Sequence, residues 1–105
     1  MRLTTMWISF DELSVNHIPE KPSAYELSNV RQNIVYIGST SQSLRSVLSD
    51  ILKDRKFSTV KYFRFKLVSD PSKASEIQQK LCAQFKRQNK GGLPKLQKVQ
   101  IEGGL

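Results

Sequence analysis

Hydrophobic periodicity changes several times along residues 24–85, and the order of those changes restricts the fold more than any other feature of the chain. Tyr25 and Leu27 alternate with Ala24 and Glu26, the period-two pattern of a strand with unlike faces. Residues 29–33, Asn-Val-Arg-Gln-Asn, are rich in turn formers. Ile34, Val35, Tyr36 and Ile37 then make a β-branched and aromatic run that ends at Gly38. These two runs and their link predict a hairpin. Leu44, Val47, Leu48, Ile51 and Leu52 recur at i, i+3, i+4, i+7 and i+8, the apolar stripe of a helix, and residues 39–43 offer hydroxyl side chains to cap its start. Across residues 59–68, Phe63, Phe65 and Leu67 face one way and Tyr62, Arg64 and Lys66 the other. Asp70-Pro71-Ser72 is a helix start, with Ala74, Ile77, Leu81 and Phe85 as the inward stripe. The order strand, strand, helix, strand, helix predicts an α+β domain built on a small antiparallel three-stranded sheet with flanking helices.

The flanks are less regular. Trp7, Phe10 and Leu13 fall at helical spacing, and Pro19 and Pro22 stop a helix from continuing into the hairpin. Residues 1–22 are therefore expected to form an N-terminal arm or short helix, and residues 23–105 the domain. Residues 86–92 read as a basic loop ended by glycines, and residues 93–97 as extended. A chain of 105 residues suits one domain with a small core, and 38% hydrophobic with 25% charged residues is a globular composition. No apolar run reaches membrane-spanning length, and the first residues lack the apolar stretch of a secretory signal, so a cytoplasmic location and no membrane partner are expected. Cys82 is the only cysteine and reads as a small buried hydrophobe. His17, the only histidine, has no partner at metal-ligand spacing.

The net charge of +8 is concentrated in one half of the chain. Residues 1–52 hold 4 of the 17 basic side chains and residues 53–105 hold 13. A basic half of this kind favours polyanions through counterion release. The candidate nucleic-acid contacts are Lys53, Arg55 and Lys56 after the first helix, Arg64 and Lys66 with Tyr62 on the third strand, and Lys86, Arg87 and Lys90 after the second helix.

The two strand-borne tyrosines, the run Tyr36-Ile37-Gly38-Ser39-Thr40 and the order of elements together resemble the GIY-YIG nuclease domain over most of residues 23–97. The resemblance implies a three-stranded sheet in the order β-β-α-β-α and a metal-assisted site that cuts nucleic acid. Tyr25 and Tyr36 match the family's tyrosines, and Gly38 matches the glycine that ends its second strand. The first motif reads Ser23-Ala24-Tyr25, in which only the tyrosine is chemical. The remaining positions depart from the pattern. Laying Leu44-Arg45-Ser46-Val47-Leu48-Ser49-Asp50-Ile51 on the family's helix puts Val47 at its arginine and Ile51 at its histidine. Gln78 stands where the family holds a metal with glutamate, and Gln97 where it has asparagine. Arg45 is the only arginine near that position.

A neutral carboxamide is a poor sole ligand for Mg²⁺, and a valine cannot receive charge developing on phosphate. The expectation is thus a nucleic-acid-binding GIY-YIG-like domain that has lost efficient cleavage, with DNA favoured over RNA and no cofactor. One alternative is an active endonuclease dependent on Mg²⁺ or Mn²⁺, with Arg45 and either Glu76 or Asp50 as substitutes. The other is a protein-interaction module on the same fold.

Overall fold

The middle of the sheet is the first strand of the hairpin, and its burial on every side organises the rest. The computed structural model describes residues 6–97. In chain order its elements are β1 (Ile8–Ser9), α1 (Glu12–Val15), β2 (Ser23–Ser28), β3 (Ile34–Thr40), α2 (Leu44–Leu52), a 3₁₀ turn (Arg55–Phe57), β4 (Tyr62–Leu67) and α3 (Pro71–Gln88). The strands pair antiparallel in the order β1-β4-β2-β3. The α+β class, the antiparallel sheet and the flanking helices agree with the sequence. Among the described residues the sheet has four strands rather than three.

The added strand is β1, placed by its partner. Ile8 lies opposite Phe63 and Ser9 opposite Tyr62, and the Phe10 N–H donates to the Lys61 carbonyl at 2.9 Å. Two residues carry no readable period, which is why the helical spacing of Trp7, Phe10 and Leu13 misleads. Ile8 and Phe10 pack towards the core, whereas Leu13 is exposed. The helix in this region is a single turn, capped by Asp11 Oδ1 accepting from the Ser14 N–H. Val15 and Ile18 from this segment are buried in the main core.

The two faces of the sheet are covered by different helices. On one face Tyr25, Leu27 and Phe63 pack with Val15, Leu44, Leu48 and Ile51 of α1 and α2. On the other, Ala24 and Ile37 pack with Ile77 and Leu81 of α3. A register shift at the end of β2 sets Ser28 opposite Ile34, and Ile34 joins this second cluster. Every residue of β2 is buried. Ile51 is buried as the apolar stripe requires, but Val47 is only half-buried at the edge of the core. The caps fall where expected: Ser43 Oγ accepts from the Ser46 N–H, and Asp70 caps α3 with Pro71 in its first turn. Among the described residues no helix is long and apolar enough to cross a membrane.

Both long helices run the same way along the sheet. The Leu44 N–H donates to the Lys21 carbonyl and the Val68 N–H to the Pro22 carbonyl, which ties the start of α2 and the lead into α3 to the end where β2 begins. At the opposite end the Lys61 N–H donates to the Ser28 carbonyl, and Ile34 of β3 and Phe85 of α3 both pack against the second core cluster. The C-termini of α2 and α3 therefore both point towards the end of the sheet that carries the turn of residues 29–33, one on each face.

Gly38 is required by a close approach rather than by its backbone angles. It lies opposite Tyr25 across the β2–β3 pair, and the phenol ring covers it. A Cβ at residue 38 would overlap Tyr25 Cζ and Oη and come within 2.8 Å of Cε2. Gly38→Ala is expected to lower stability by about 1–3 kcal/mol through overpacking. In a Tyr25→Ala background the same change should cost much less. Denaturant unfolding of the four proteins of this cycle measures both effects.

Candidate functional site

Tyr25 and Tyr36 project from neighbouring strands onto the face covered by α1 and α2. Their positions are diagonal, because Tyr25 pairs with Gly38 and Tyr36 with Leu27. The rings are near-parallel at 26°, with centroids 6.1 Å apart, and Phe57 meets Tyr36 edge-on at 5.4 Å. Tyr25 is fully buried, while Tyr36 is half-exposed at the sheet margin. Burial pushes the Tyr25 hydroxyl well above the ordinary phenol range, and the neighbouring Tyr36 charge and the hydrogen bond between the two phenols push it further. Burial also raises Tyr36, partly opposed by the bond from Tyr25, with a further upward push from Cys82. A phenol serves as a base only where something stabilises phenolate, and both environments favour the protonated form.

The other residues singled out by the resemblance are arranged for structure. Arg45 Nε donates to the Ile18 carbonyl at 2.7 Å, and its guanidinium lies 4.0 Å from Glu20. It clasps the segment after α1. Val47 and Ile51 line the core side of α2. Gln78 Oε1 accepts from Ser39 Oγ at 2.6 Å, and its Nε2 donates to the Ile37 carbonyl at 3.1 Å. Gln97 completes the outer edge of β3: its Oε1 accepts from the Ile37 N–H at 2.8 Å and its Nε2 donates to the Ile37 carbonyl at 2.6 Å. Gln78 and Gln97 thus fasten α3 and the segment after it to one peptide of β3. The amide atoms of Gln78 are engaged within the protein, so this position does not fit a divalent ion. Glu76 is exposed and paired with Lys73 at 3.4 Å, and Asp50 sits half-exposed near the end of α2. His17 is exposed, with Nδ1 donating to the Leu13 carbonyl. Cys82 is half-buried, and burial raises its thiol.

The basic residues fall into two groups. Lys53 and Arg55 follow α2, and Lys86, Arg87 and Lys90 end α3; all five are exposed at the end of the sheet where both helices emerge. Arg31 of the β2–β3 turn and Lys61 before β4, neither of them among the expected contacts, are exposed at the same end. Asn29 shapes that turn by accepting from the Arg31 and Asn33 N–H groups. Lys90 and Gly91 close α3 with positive φ, and the Gly91 N–H donates to the Lys86 carbonyl. Lys56 lies 3.7 Å from the buried carboxylate of Asp54.

Arg64 and Lys66 belong to a different surface, the face of β4 on the α3 side. The expectation that Arg64 offers its charge to a ligand needs correction. Its Nε donates to Glu26 Oε1 at 2.7 Å, directly across the β2–β4 pair, and its guanidinium lies 4.1 Å from the Trp7 ring centroid. The Glu26 side chain is 5% exposed, so the arginine neutralises a buried carboxylate. The place of Trp7 follows from the pairing of β1 with β4, not from its helical spacing to Phe10 and Leu13.

A family profile described as Domain of unknown function (DUF7508) matches residues 1–88, and the chain belongs to this family. No curated protein matches it.

Two outcomes test the site. Removing Arg64 strands a buried charge, so Arg64→Met should cost about 3 kcal/mol, and Glu26→Leu combined with Arg64→Met should recover most of the deficit in denaturant unfolding. Tyr25 also links stability to pH. Near the ordinary tyrosine pKa of about 10 the unfolded chain releases its proton before the folded one does. The unfolded state then binds fewer protons, so stability is fully present below that range and falls as pH rises through it. Unfolding measured from neutral to alkaline pH should show this decline, and Tyr25→Phe should make it shallower.

Proposed function

We propose that this protein is a nucleic-acid-binding domain of GIY-YIG-like architecture without efficient endonuclease activity. The observation that carries the binding half is the shared end of the two helices. Lys53, Arg55, Lys86, Arg87 and Lys90 are exposed there with Arg31 and Lys61, although they come from four separate stretches of chain. Such a cluster favours the phosphate backbone, whose contacts position a ligand without reading its sequence.

The loss of cleavage rests on the chemistry of the paired tyrosines and their neighbours. Phosphodiester hydrolysis of this kind needs an anionic ligand to place an ion and a cation to receive developing charge. Gln78 is neutral and tied to Ser39 and Ile37, while Arg45 is tied to Ile18 and Glu20. Tyr25 is buried in a setting that keeps its proton. The tyrosine pair then serves as packing on the face of the sheet covered by α1 and α2, with DNA the favoured ligand.

Binding of fluorescent duplex and single-stranded DNA and of RNA across a salt series tests the first half. Affinity should fall steeply with salt. Lys86→Glu with Arg87→Glu and Lys90→Glu should lower the salt slope by about one for each phosphate no longer neutralised. Binding that ignores salt, or none at low salt, would move the reading to a protein-interaction module. Incubation of duplex, single-stranded and branched substrates with Mg²⁺ or Mn²⁺ tests the second half, and no cutting is expected. Cleavage by the unmodified protein that vanishes in Tyr36→Phe would establish the endonuclease reading instead.

A further inference from the structure

The α3 side of the sheet is only half covered. α3 packs on β2 and β3 through Ala74, Ile77 and Leu81. Among the described residues no helix lies over the same face of β4 and β1. That open half carries Trp7, Tyr62, Arg64 and Lys66, each half-exposed. The alternation of β4 puts the last three on one face, and the contact of Arg64 with the Trp7 ring puts the indole there as well. The nearer wall of this surface is the flank of α3. Gln78 leans towards the outer edge of β3, so at 3.6 residues per turn Lys80 and Arg87 lie on the opposite flank, towards β4, and both are exposed.

The chemistry of this step between sheet and helix is specific in kind. Two aromatic side chains stand on an open sheet. One of them, Trp7, meets on one ring face a guanidinium that is itself held by a buried carboxylate at 2.7 Å. The cost of orienting the indole is therefore met within the fold, which favours stacking on its other face. Lys66 shares the face of β4 with Tyr62, and Lys80 and Arg87 are exposed on the flank of α3 turned towards that strand. A surface that pairs stacking rings with a basic margin suits unstacked bases joined by phosphates, whereas the bases of a duplex present no free face to it.

We propose that the open half of the sheet is a stacking platform for single-stranded nucleic acid, with Trp7 and Tyr62 receiving bases and Lys66, Lys80 and Arg87 contacting phosphates. This rests on the nucleic-acid reading above and adds to it the class of ligand and the face that holds it. The basic end of the sheet supplies further phosphate contacts for a strand that continues beyond the platform.

Trp7 is the only tryptophan, so its emission reports this face directly. The whole protein is titrated with single-stranded oligo(dT) and oligo(U) of about 12 nucleotides, and with a duplex of matched length, at low salt. Anisotropy of labelled strands and tryptophan emission are followed together. Both single strands should bind more tightly than the duplex and quench Trp7. Tyr62→Ala should weaken single-strand binding about five-fold or more while leaving duplex binding little changed. Lys66→Glu with Lys80→Glu, both surface positions, gives a second variant that leaves the Glu26–Arg64 pair and the core intact, and it too should weaken single-strand binding. Single strands that bind without quenching, and with affinity unaltered in both variants, would overturn the platform while leaving the polyanion reading in place. Absence of binding to any of the three ligands would overturn both.

Discussion

A carboxylate on the central strand of a sheet has to be neutralised, and this protein is arranged around doing so. Glu26 sits on β2 with strands on both sides and is nearly inaccessible to solvent. An unpaired charge there would cost several kcal/mol. Arg64 meets it directly across the β2–β4 pair, and a slip of one residue would send the guanidinium to the other face of the sheet. The pair therefore favours one register of β4. The arginine also supports Trp7, so the same contact helps to seat β1 at the far edge. The ion pair thus joins β2 to β4, and the contact of Arg64 with Trp7 extends it to the residue before β1, on a half-exposed aromatic surface.

The polar groups around Ile37 follow a comparable logic with a different consequence. The outer edge of β3 has no further strand beside it among the described residues. Its backbone at Ile37 is satisfied by carboxamides: Gln97 takes both the N–H and the carbonyl, and Gln78 adds a second donor to that carbonyl. A carboxylate at residue 78 would bring no donor for the Ile37 carbonyl and would set two acceptors against it. The glutamine is thus matched to its structural neighbours. Gln78 therefore stays neutral and engaged with Ser39 and Ile37, at the position where the resemblance would call for a carboxylate.

Much of the architecture was legible because it depends on period and punctuation. The stripe from Leu44 to Leu52, the alternation across Tyr62 to Lys66 and the Asp70-Pro71 start each specify an element locally, and each is found. What could not be read is set by partners distant in sequence. β1 exists because β4 offers an edge. Trp7 is placed by that pairing, and Arg64, which reads as a free cation in its strand, is claimed by a residue 38 positions away. Val47 illustrates a finer limit. It continues the apolar stripe, yet a nine-residue helix lying near the margin of the sheet leaves one side of that stripe half-exposed. Of the residues considered for a catalytic role, Tyr25 and Tyr36 are brought together, while Arg45 is drawn off by the loop after α1.

The basic end of the sheet raises the question of whether its charge needs a ligand to explain it. Lysines and arginines at helix C-termini have a local reason to be there, since they complement the partial negative charge of the terminal carbonyls. Lys86 and Arg87 in the last turn of α3 fit that account without any partner. Arg31 and Lys61 do not. One lies in a hairpin turn and the other before a strand, and no helix dipole acts in their favour. Their exposure at the same end adds like charge to a part of the surface that is already basic, which can only oppose folding weakly. A bound polyanion reverses the sign of that term, because each cation added to the cluster then strengthens binding through a released counterion. The two residues without a helical reason are therefore the ones whose charge bears most directly on the ligand proposed for this end of the molecule.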